Sequence, residues 1–323
     1  MAFLNKISDI FTPKPVEVPP YPSLILMEVT NACNLRCSMC FIYGEGVKRR
    51  RATGFMKREL WQQAIDEMGS WPAKVTLDLH GAGEPLLHPE LFEIISYAKS
   101  KANISVGFLS NATLLTREKA DAVIETGLDW IGFSVDGAQK EIFESYRKGA
   151  VLEEVEANID YLLSIRKPGI GEPGRPTVYL NMVCHPEADT GLFIDRWKGK
   201  VETILLSIKK INDKGKNIPA KFSKPCFLLS QQLIMGWDGT TVLCCEDFCE
   251  EYVTGRFPEM SLSGIWHGAR FDKARQHHHK GTFDKIDLCR YCDSVVFHQY
   301  AEKVIEVNGR KTLVRTELAS KQE

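Results

Sequence analysis

Cys33, Cys37 and Cys40 fall within eight residues, in the spacing C-x3-C-x2-C. A loop this short can wrap three corners of an iron–sulfur cube, whereas a tetrahedral zinc site would still need a fourth ligand. Three thiolates on four irons leave one iron open to a substrate or cofactor. Cys226, Cys244, Cys289 and Cys292 form a second set, spaced C-x17-C-x44-C-x2-C. Only its last pair is a tight motif, and C-x2-C suits zinc as well. Cys184, Cys245 and Cys249 are left over. Ten cysteines in a chain whose start, MAFLNKISDIFTPKPVEVPP, lacks a secretion signal argue for metal rather than a disulfide framework. The same feature predicts a cytoplasmic protein.

The elements that must position these thiols are legible as a strand–helix alternation. LILMEV (24–29), KVTLDL (74–79), ISVGFL (104–109), WIGFSV (130–135), TVYLNMV (177–183) and ETILLSI (202–208) are short and rich in β-branched and apolar residues, as strands are. Helical stretches lie between them at 57–68, 89–101, 116–126, 152–165 and 190–198. Such an order implies a parallel sheet with right-handed crossovers. Six strands predict a partial (β/α)6 TIM-like barrel over 23–211, after a proline-rich lead-in at 1–22. The first cysteine loop then sits at the C-terminal end of strand one, the active-site end of such a barrel. IRKPGIGEPGRP (165–176) is expected to be a loop within the barrel and NDKGKNIPAKFSKP (212–225) the boundary to a second region, 212–323. There, hairpins are predicted over Asp238-Gly239 and Asn308-Gly309, with a short helical segment near 262–278. The 323 residues suffice for two domains at ~150 each. With 41 basic against 42 acidic side chains, nothing marks a nucleic-acid coat, and no apolar run approaches the ~20 residues of a membrane span.

CNLRCSMC resembles the signature of the radical S-adenosylmethionine (SAM) enzymes. The resemblance implies that the open iron of a 4Fe-4S cluster on Cys33, Cys37 and Cys40 chelates SAM. The family's aromatic residue between the last two cysteines is replaced by Met39, with Phe41 just beyond, so both become candidates for the adenine contact. HGAGEPLLHPE (80–90) resembles the family's GGEP motif, which implicates Gly81, Gly83 and Glu84 in holding the SAM amino group. LSNATLL (109–115) resembles the stretch near the SAM ribose, with Ser110 and Asn111 matching. SVDG (134–137) and YRKGA (146–150) resemble two further stretches, which adds Ser134, Asp136 and Arg147. Asp136 and Arg147 are equally readable as fold-fixing polar residues or as catalytic candidates.

The C-terminal segments CFLLSQQLIMGWDGTTVLCCEDF, SLSGIWHGARFDKAR and DLCRYC resemble the twitch form of the SPASM domain, an α+β iron–sulfur unit. The cysteine spacing is similar to that of 2-deoxy-scyllo-inosamine dehydrogenase-type enzymes. This implies one auxiliary 4Fe-4S cluster on Cys226, Cys244, Cys289 and Cys292; Cys245 could replace Cys244, and Cys249 could serve a further site. A fully ligated cube has no place for SAM and acts as an electron carrier. Together the resemblances imply an oxidoreductase that forms a 5′-deoxyadenosyl radical and oxidises the hydroxyl-bearing carbon of a small polar metabolite, a sugar or aminocyclitol alcohol. An external donor such as flavodoxin or ferredoxin, and no nucleic-acid or membrane partner, complete the expectation. A peptide-modifying maturase, a redox-neutral epimerase or decarboxylase, and a non-enzymatic iron–sulfur or zinc binder are the rivals; the short lead-in speaks against a peptide-binding domain. The 48–51 cation run is expected to be a solvated surface, with a contact to a phosphate or carboxylate as the alternative, His277 to His279 an exposed tract rather than a metal site, and Cys184 a core or rim thiol.

Overall fold

The computed structural model describes residues 18–47, 51–169, 172–208, 225–290, 292 and 300–317. The first half alternates strand and helix: β1 (Leu24–Met27), α1 (Arg58–Ser70), β2 (Val75–Asp78), α2 (Leu91–Lys99), β3 (Ile104–Ser110), α3 (Arg117–Glu125), β4 (Trp130–Ser134), α4 (Lys140–Tyr146) and α5 (Leu152–Ile165). A small hairpin, β5 (Lys167–Gly169) and β6 (Glu172–Arg175), follows where a plain loop was expected. Then come β7 (Thr177–Cys184), α6 (Thr190–Trp197) and β8 (Thr203–Ile208). The strand predicted over 24–29 ends at Met27, although Glu28 N–H still donates to Met235 O at 2.9 Å while its side chain turns to Arg51 at the rim. The boundary segment predicted at 212–225 lies outside the described residues except at its last position, and most of the lead-in lies outside them as well.

The C-terminal region supplies β9 (Gln232–Met235), β10 (Thr240–Val242), β11 (Val253–Arg256), α7 (Leu262–Trp266), α8 (Ala269–His279), α9 (Asp287–Arg290), β12 (Tyr300–Val307) and β13 (Arg310–Glu317). All strands except the β5–β6 hairpin join one eleven-stranded sheet, ordered β11-β10-β9-β1-β2-β3-β4-β7-β8-β13-β12. The six predicted barrel strands stand side by side in chain order and in parallel. Beyond them the C-terminal region adds a parallel strand at each side, β9 on β1 and β13 on β8. Both predicted hairpins form: β9 and β10 pair antiparallel across a turn in which Gly239 has φ +85°, and β12 and β13 pair across Asn308 and Gly309. The helical segment near 262–278 is broken into α7 and α8 at Gly268.

The parallel strands carry apolar side chains at alternate positions that are buried, as in β7 and β3. Ile25, Met27, Leu77, Val106, Phe108, Ile131, Phe133, Val178 and Leu180 are fully buried. α5 buries Leu152, Val155, Ile159 and Leu162, the three- and four-residue spacing of one helical face. This leaves the polar residues at the strand C-termini free to form one rim. Among the described residues no helix is long and apolar enough to cross a membrane.

Candidate active site

The Cys33-to-Cys40 loop is held by main-chain bonds rather than by a helix. Arg36 N–H donates to Lys148 O (3.0 Å) and Ser38 N–H to Tyr146 O (2.8 Å), which clamps the loop to the segment after α4. The N–H groups of Ile42 and Tyr43 donate to Cys40 Sγ at 3.4 and 3.3 Å. Burial pushes the Cys33 thiol up to about 11 and raises Cys37 too, although Arg147 pulls Cys37 back. Cys33 and Cys37 each feel Cys40, so the three sulfurs share one field. Buried thiolates that repel one another are stabilised by a cationic metal centre, which must deprotonate them. Among the described residues no three His, Cys, Asp or Glu side chains converge as ligands of one ion do.

Beside this loop lies the 80–84 turn. Glu84 N–H donates to Ala32 O at 2.7 Å. A Cβ on Gly83 would stand 2.4 Å from Ala32 O and 2.5 Å from Thr30 O, and one on Gly81 would stand 2.6 Å from the Glu28 side chain. Both glycines are thus required for the turn to lie on the cysteine loop. The Glu84 carboxylate is buried and accepts Ser110 Oγ–H (2.8 Å), Asn111 N–H (2.8 Å) and Leu86 N–H (3.2 Å). Burial raises its pKa against those three bonds. Glu84, Ser110 and Asn111 therefore form one buried unit close to Cys33. Asn111 also donates from Nδ2 to Asn34 Oδ1 (3.1 Å), inside the cysteine loop.

Asp136 and Arg147 meet each other. Arg147 Nε–H donates to Asp136 Oδ2 (2.7 Å), and Asp136 Oδ1 accepts Val183 N–H (2.8 Å), so the pair ties the end of β4 to β7 and sets a guanidinium near Cys37. Ser134 ends β4 half-buried, and Met39 is half-buried in its loop. Phe41 is 40% exposed and stacks on Phe248, 6.3 Å between centroids, so the first cysteine loop touches the loop that follows Cys244. Cys184, at the end of β7, is half-buried.

The second cysteine set is gathered from the whole C-terminal region. Cys226 precedes a short 3-10 turn, Cys244 follows β10, and Cys289 lies in α9. Burial raises the thiols of Cys226 and Cys244 and pushes Cys289 up to about 12. Cys292 lies in the field of all three. Cys244 feels Cys289 and Cys292, whereas Cys245 packs on Leu26, Ile234 and Val242. The histidine tract differs from the exposed run expected of it. His278 is buried at 4% exposure, and burial lowers it to about 4, because α8 turns this residue inward onto Cys226 and Cys289. Cys226 N–H donates to His278 Nδ1 at 3.3 Å, and His278 Nε2 lies 3.4 Å from Cys289 Sγ.

A cavity of about 270 Å³ is walled by Glu28, His80 and Ala82 of the barrel rim on one side and by Cys244, Cys245 and Glu250 on the other; Cys33, Cys37 and Cys40 are not among its lining residues. Neither Asp136 nor Arg147 lines it. His80 is a site residue that motif reading passes over: its Nδ1 sits 2.5 Å from Asp78 Oδ1. Burial works against its charged form, but the Asp78 carboxylate prevails and His80 is held above the usual histidine value. The available signal was its place directly after strand two, at the rim of a parallel sheet. Arg51 was also misjudged by the solvated-run expectation; Lys48, Arg49 and Arg50 lie outside the described residues. Arg51 grips Glu28 with two bonds (2.8 and 3.2 Å) and reaches Glu250 at 2.6 Å. Glu250 has φ +59°, a left-handed conformation uncommon outside glycine. Asp247 anchors the same loop by accepting Glu251 N–H and Tyr252 N–H, each at 2.8 Å.

Comparison with known proteins bears on both regions. The model of the radical SAM superfamily matches residues 27–190, and that of SPASM, an iron–sulfur cluster-binding domain, matches 226–293. The chain is 29% identical over 153 residues to the tungsten-containing aldehyde ferredoxin oxidoreductase cofactor-modifying protein of Pyrococcus furiosus, a match covering 46% of this chain and 42% of that one. It is 23% identical over 276 residues to the S-adenosyl-L-methionine-dependent 2-deoxy-scyllo-inosamine dehydrogenase of Niallia circulans, covering 84% of this chain and 93% of that protein. The solved structure of BtrN in complex with AdoMet and 2-DOIA shares the fold, with TM-score 0.59 and 22% identity over 85% of this chain and 94% of that one.

Proposed function

The chain belongs to the radical SAM superfamily, and from that premise we propose an oxidoreductase that converts a secondary alcohol of a small polar metabolite, of the sugar or aminocyclitol kind, into a ketone. Cys33, Cys37 and Cys40 hold the SAM-binding 4Fe-4S cluster in this reading, and Cys226, Cys244, Cys289 and Cys292 hold the auxiliary one. When bound, the first cluster and SAM supply a 5′-deoxyadenosyl radical able to remove a hydrogen atom from carbon. The observation that carries the reading is the cavity of about 270 Å³ between the barrel rim and the Cys244 loop. A substrate there lies beside Cys244 and against the His80–Ala82 turn that leads into Glu84, so that a carbon giving up a hydrogen atom on the SAM side can pass an electron toward the second set.

The protein's own residues have a definite task in this scheme. His80 lines the cavity and takes the hydroxyl proton of the substrate at Nε2. Asp78 accepts the Nδ1 proton, which fixes the ring and leaves the Nε2 lone pair for the incoming proton, the arrangement of a base with its orienting carboxylate. Glu84 holds Ser110 and Asn111 against the cysteine loop and so shapes the SAM side of the pocket. Arg51 bridges Glu28 and Glu250 and so joins the two walls. The similarity to a dehydrogenase over 93% of that protein's length supports the oxidative outcome. The external one-electron donor is a flavodoxin or ferredoxin.

The test is an anaerobic assay of the iron-loaded enzyme with a reductant, SAM, and panels of polyols, aminocyclitols and peptides. Ketone formation with one equivalent of 5′-deoxyadenosine from an alcohol is the expected result. Turnover confined to peptides, or product at the oxidation level of the substrate, would replace this reading with a maturase or an epimerase or decarboxylase.

A further inference from the structure

His278 bridges two residues of the second cysteine set through its two ring nitrogens. Cys226 N–H donates to Nδ1 (3.3 Å), and Nε2 stands 3.4 Å from Cys289 Sγ. A nitrogen that accepts a hydrogen bond carries no proton, and a neutral imidazole has one N–H. The proton is therefore on Nε2, and the N–H points at sulfur. The residue has no freedom to turn elsewhere: it is buried, sits in the last turn of α8, and lies against Phe283, 5.9 Å between centroids. Its neighbour His277 is engaged separately, with Nδ1 at 3.0 Å from Thr282 Oγ1.

We propose that His278 is a positioning and tuning residue of the auxiliary cluster, donating Nε2–H to the Cys289 thiolate and raising the potential at which that cluster accepts an electron. The inference rests on the reading of Cys226, Cys244, Cys289 and Cys292 as the auxiliary ligands. Hydrogen bonds to cluster sulfurs are among the levers that set iron–sulfur potentials. An N–H directed at a ligand sulfur stabilises the electron-rich, reduced state more than the oxidised one. The acceptor side of His278 adds a second effect, since it fixes the main chain at Cys226 and so couples two ligands that are far apart in sequence.

The experiment uses a full chain with Cys33, Cys37 and Cys40 changed to Ala, so that only the auxiliary cluster remains, loaded with iron anaerobically and reduced. With histidine labelled by nitrogen-15, pulsed EPR should show a weak nitrogen coupling and an exchangeable proton close to the cluster. His278→Phe should remove both and lower the midpoint potential by about tenfold in the equilibrium constant, about 59 mV for one electron. His278→Gln, which keeps an N–H at comparable reach, should return it toward the original value. A normal potential in an iron-loaded His278→Phe protein, or an equal drop in Phe and Gln variants, would overturn the proposal. If His278→Phe cannot hold iron, the labelled protein with His278 intact decides alone. No nitrogen coupling there refutes donation, and a coupling large enough for direct ligation refutes it too. Absence of iron from the three-alanine protein overturns the ligand reading and this inference with it.

Discussion

The two cysteine sets are assembled by opposite means. Cys33, Cys37 and Cys40 come from one loop, and main-chain bonds to the segments after β2 and α4 fix its shape. Cys226, Cys244 and the Cys289–Cys292 pair come from three separate segments of the C-terminal region, and side chains help to hold them: His278 between Cys226 and Cys289, and Asp247 beneath the loop after Cys244. A site carried on one loop needs that loop and the segments after β2 and α4 to which it is bonded. A site fixed by distant side chains depends on α8, α9 and β10 all being in place. In the proposed reaction the first set would hold the cluster that binds SAM and the second the cluster that takes up an electron.

Four variants can break or sharpen that contrast. The largest effect is expected from changing Cys33, Cys37 and Cys40 together to Ala: SAM cleavage should be abolished and iron should fall by about half, from roughly eight per chain to four, as metal analysis will read. Loss of all iron would overturn the reading of Cys226, Cys244, Cys289 and Cys292 as ligands of a second cluster. Next, His80→Asn should slow ketone formation roughly 10²- to 10⁴-fold while deuterium from the substrate still reaches 5′-deoxyadenosine. In the unmodified enzyme the rate should rise with pH as the imidazolium loses its proton, with its midpoint above the ordinary 6.5, because Asp78 stabilises the charged ring. A rate independent of pH between 6 and 9 on the order measured for a histidine base would remove His80 from the mechanism.

The remaining two concern the joint between the regions. Arg51→Met leaves the nearly buried Glu28 carboxylate without its cation and should cost roughly 3 kcal/mol, seen as a lower anaerobic melting temperature. Glu250→Gln removes only the outer, partly exposed partner of Arg51, and its loss should stay below about 1 kcal/mol. Equal destabilisation by both would show that the Arg51 to Glu250 link, rather than Glu28, carries the joint.

The same contrast explains what was legible in sequence. Six strands and the loop after β1 could be read because the strands are short runs rich in β-branched and apolar residues and the three cysteines are neighbours in the chain. α4 was not, since its seven residues bury only Phe143 and show no periodic face. The attachment of β9 to β1 and of β13 to β8 was hidden as well, because strand composition carries no record of which edge a strand will join. At the site, Glu84, Ser110 and Asn111 could be picked out as motif members, but their mutual bonding could not. His80 and Arg51 escaped because one residue beside a strand, or one cation in a run of four, has no pattern of its own. His278 was misread for a related reason: three consecutive histidines point in three directions on a helix, and only burial says which one faces inward.

The sheet order also bears on how the chain matures at the ribosome. Leu24 on β1 pairs on one side with Thr76 and on the other with Gln232. At ~5–20 residues per second, the second partner is synthesised about 10–40 s after the first strand. Throughout that interval one edge of β1 is open, an apolar strand with unpaired amides next to three reactive thiols. Nascent chains of this enzyme should therefore engage chaperones until β9 docks, and truncation before residue 232 should yield aggregates rather than an isolated barrel.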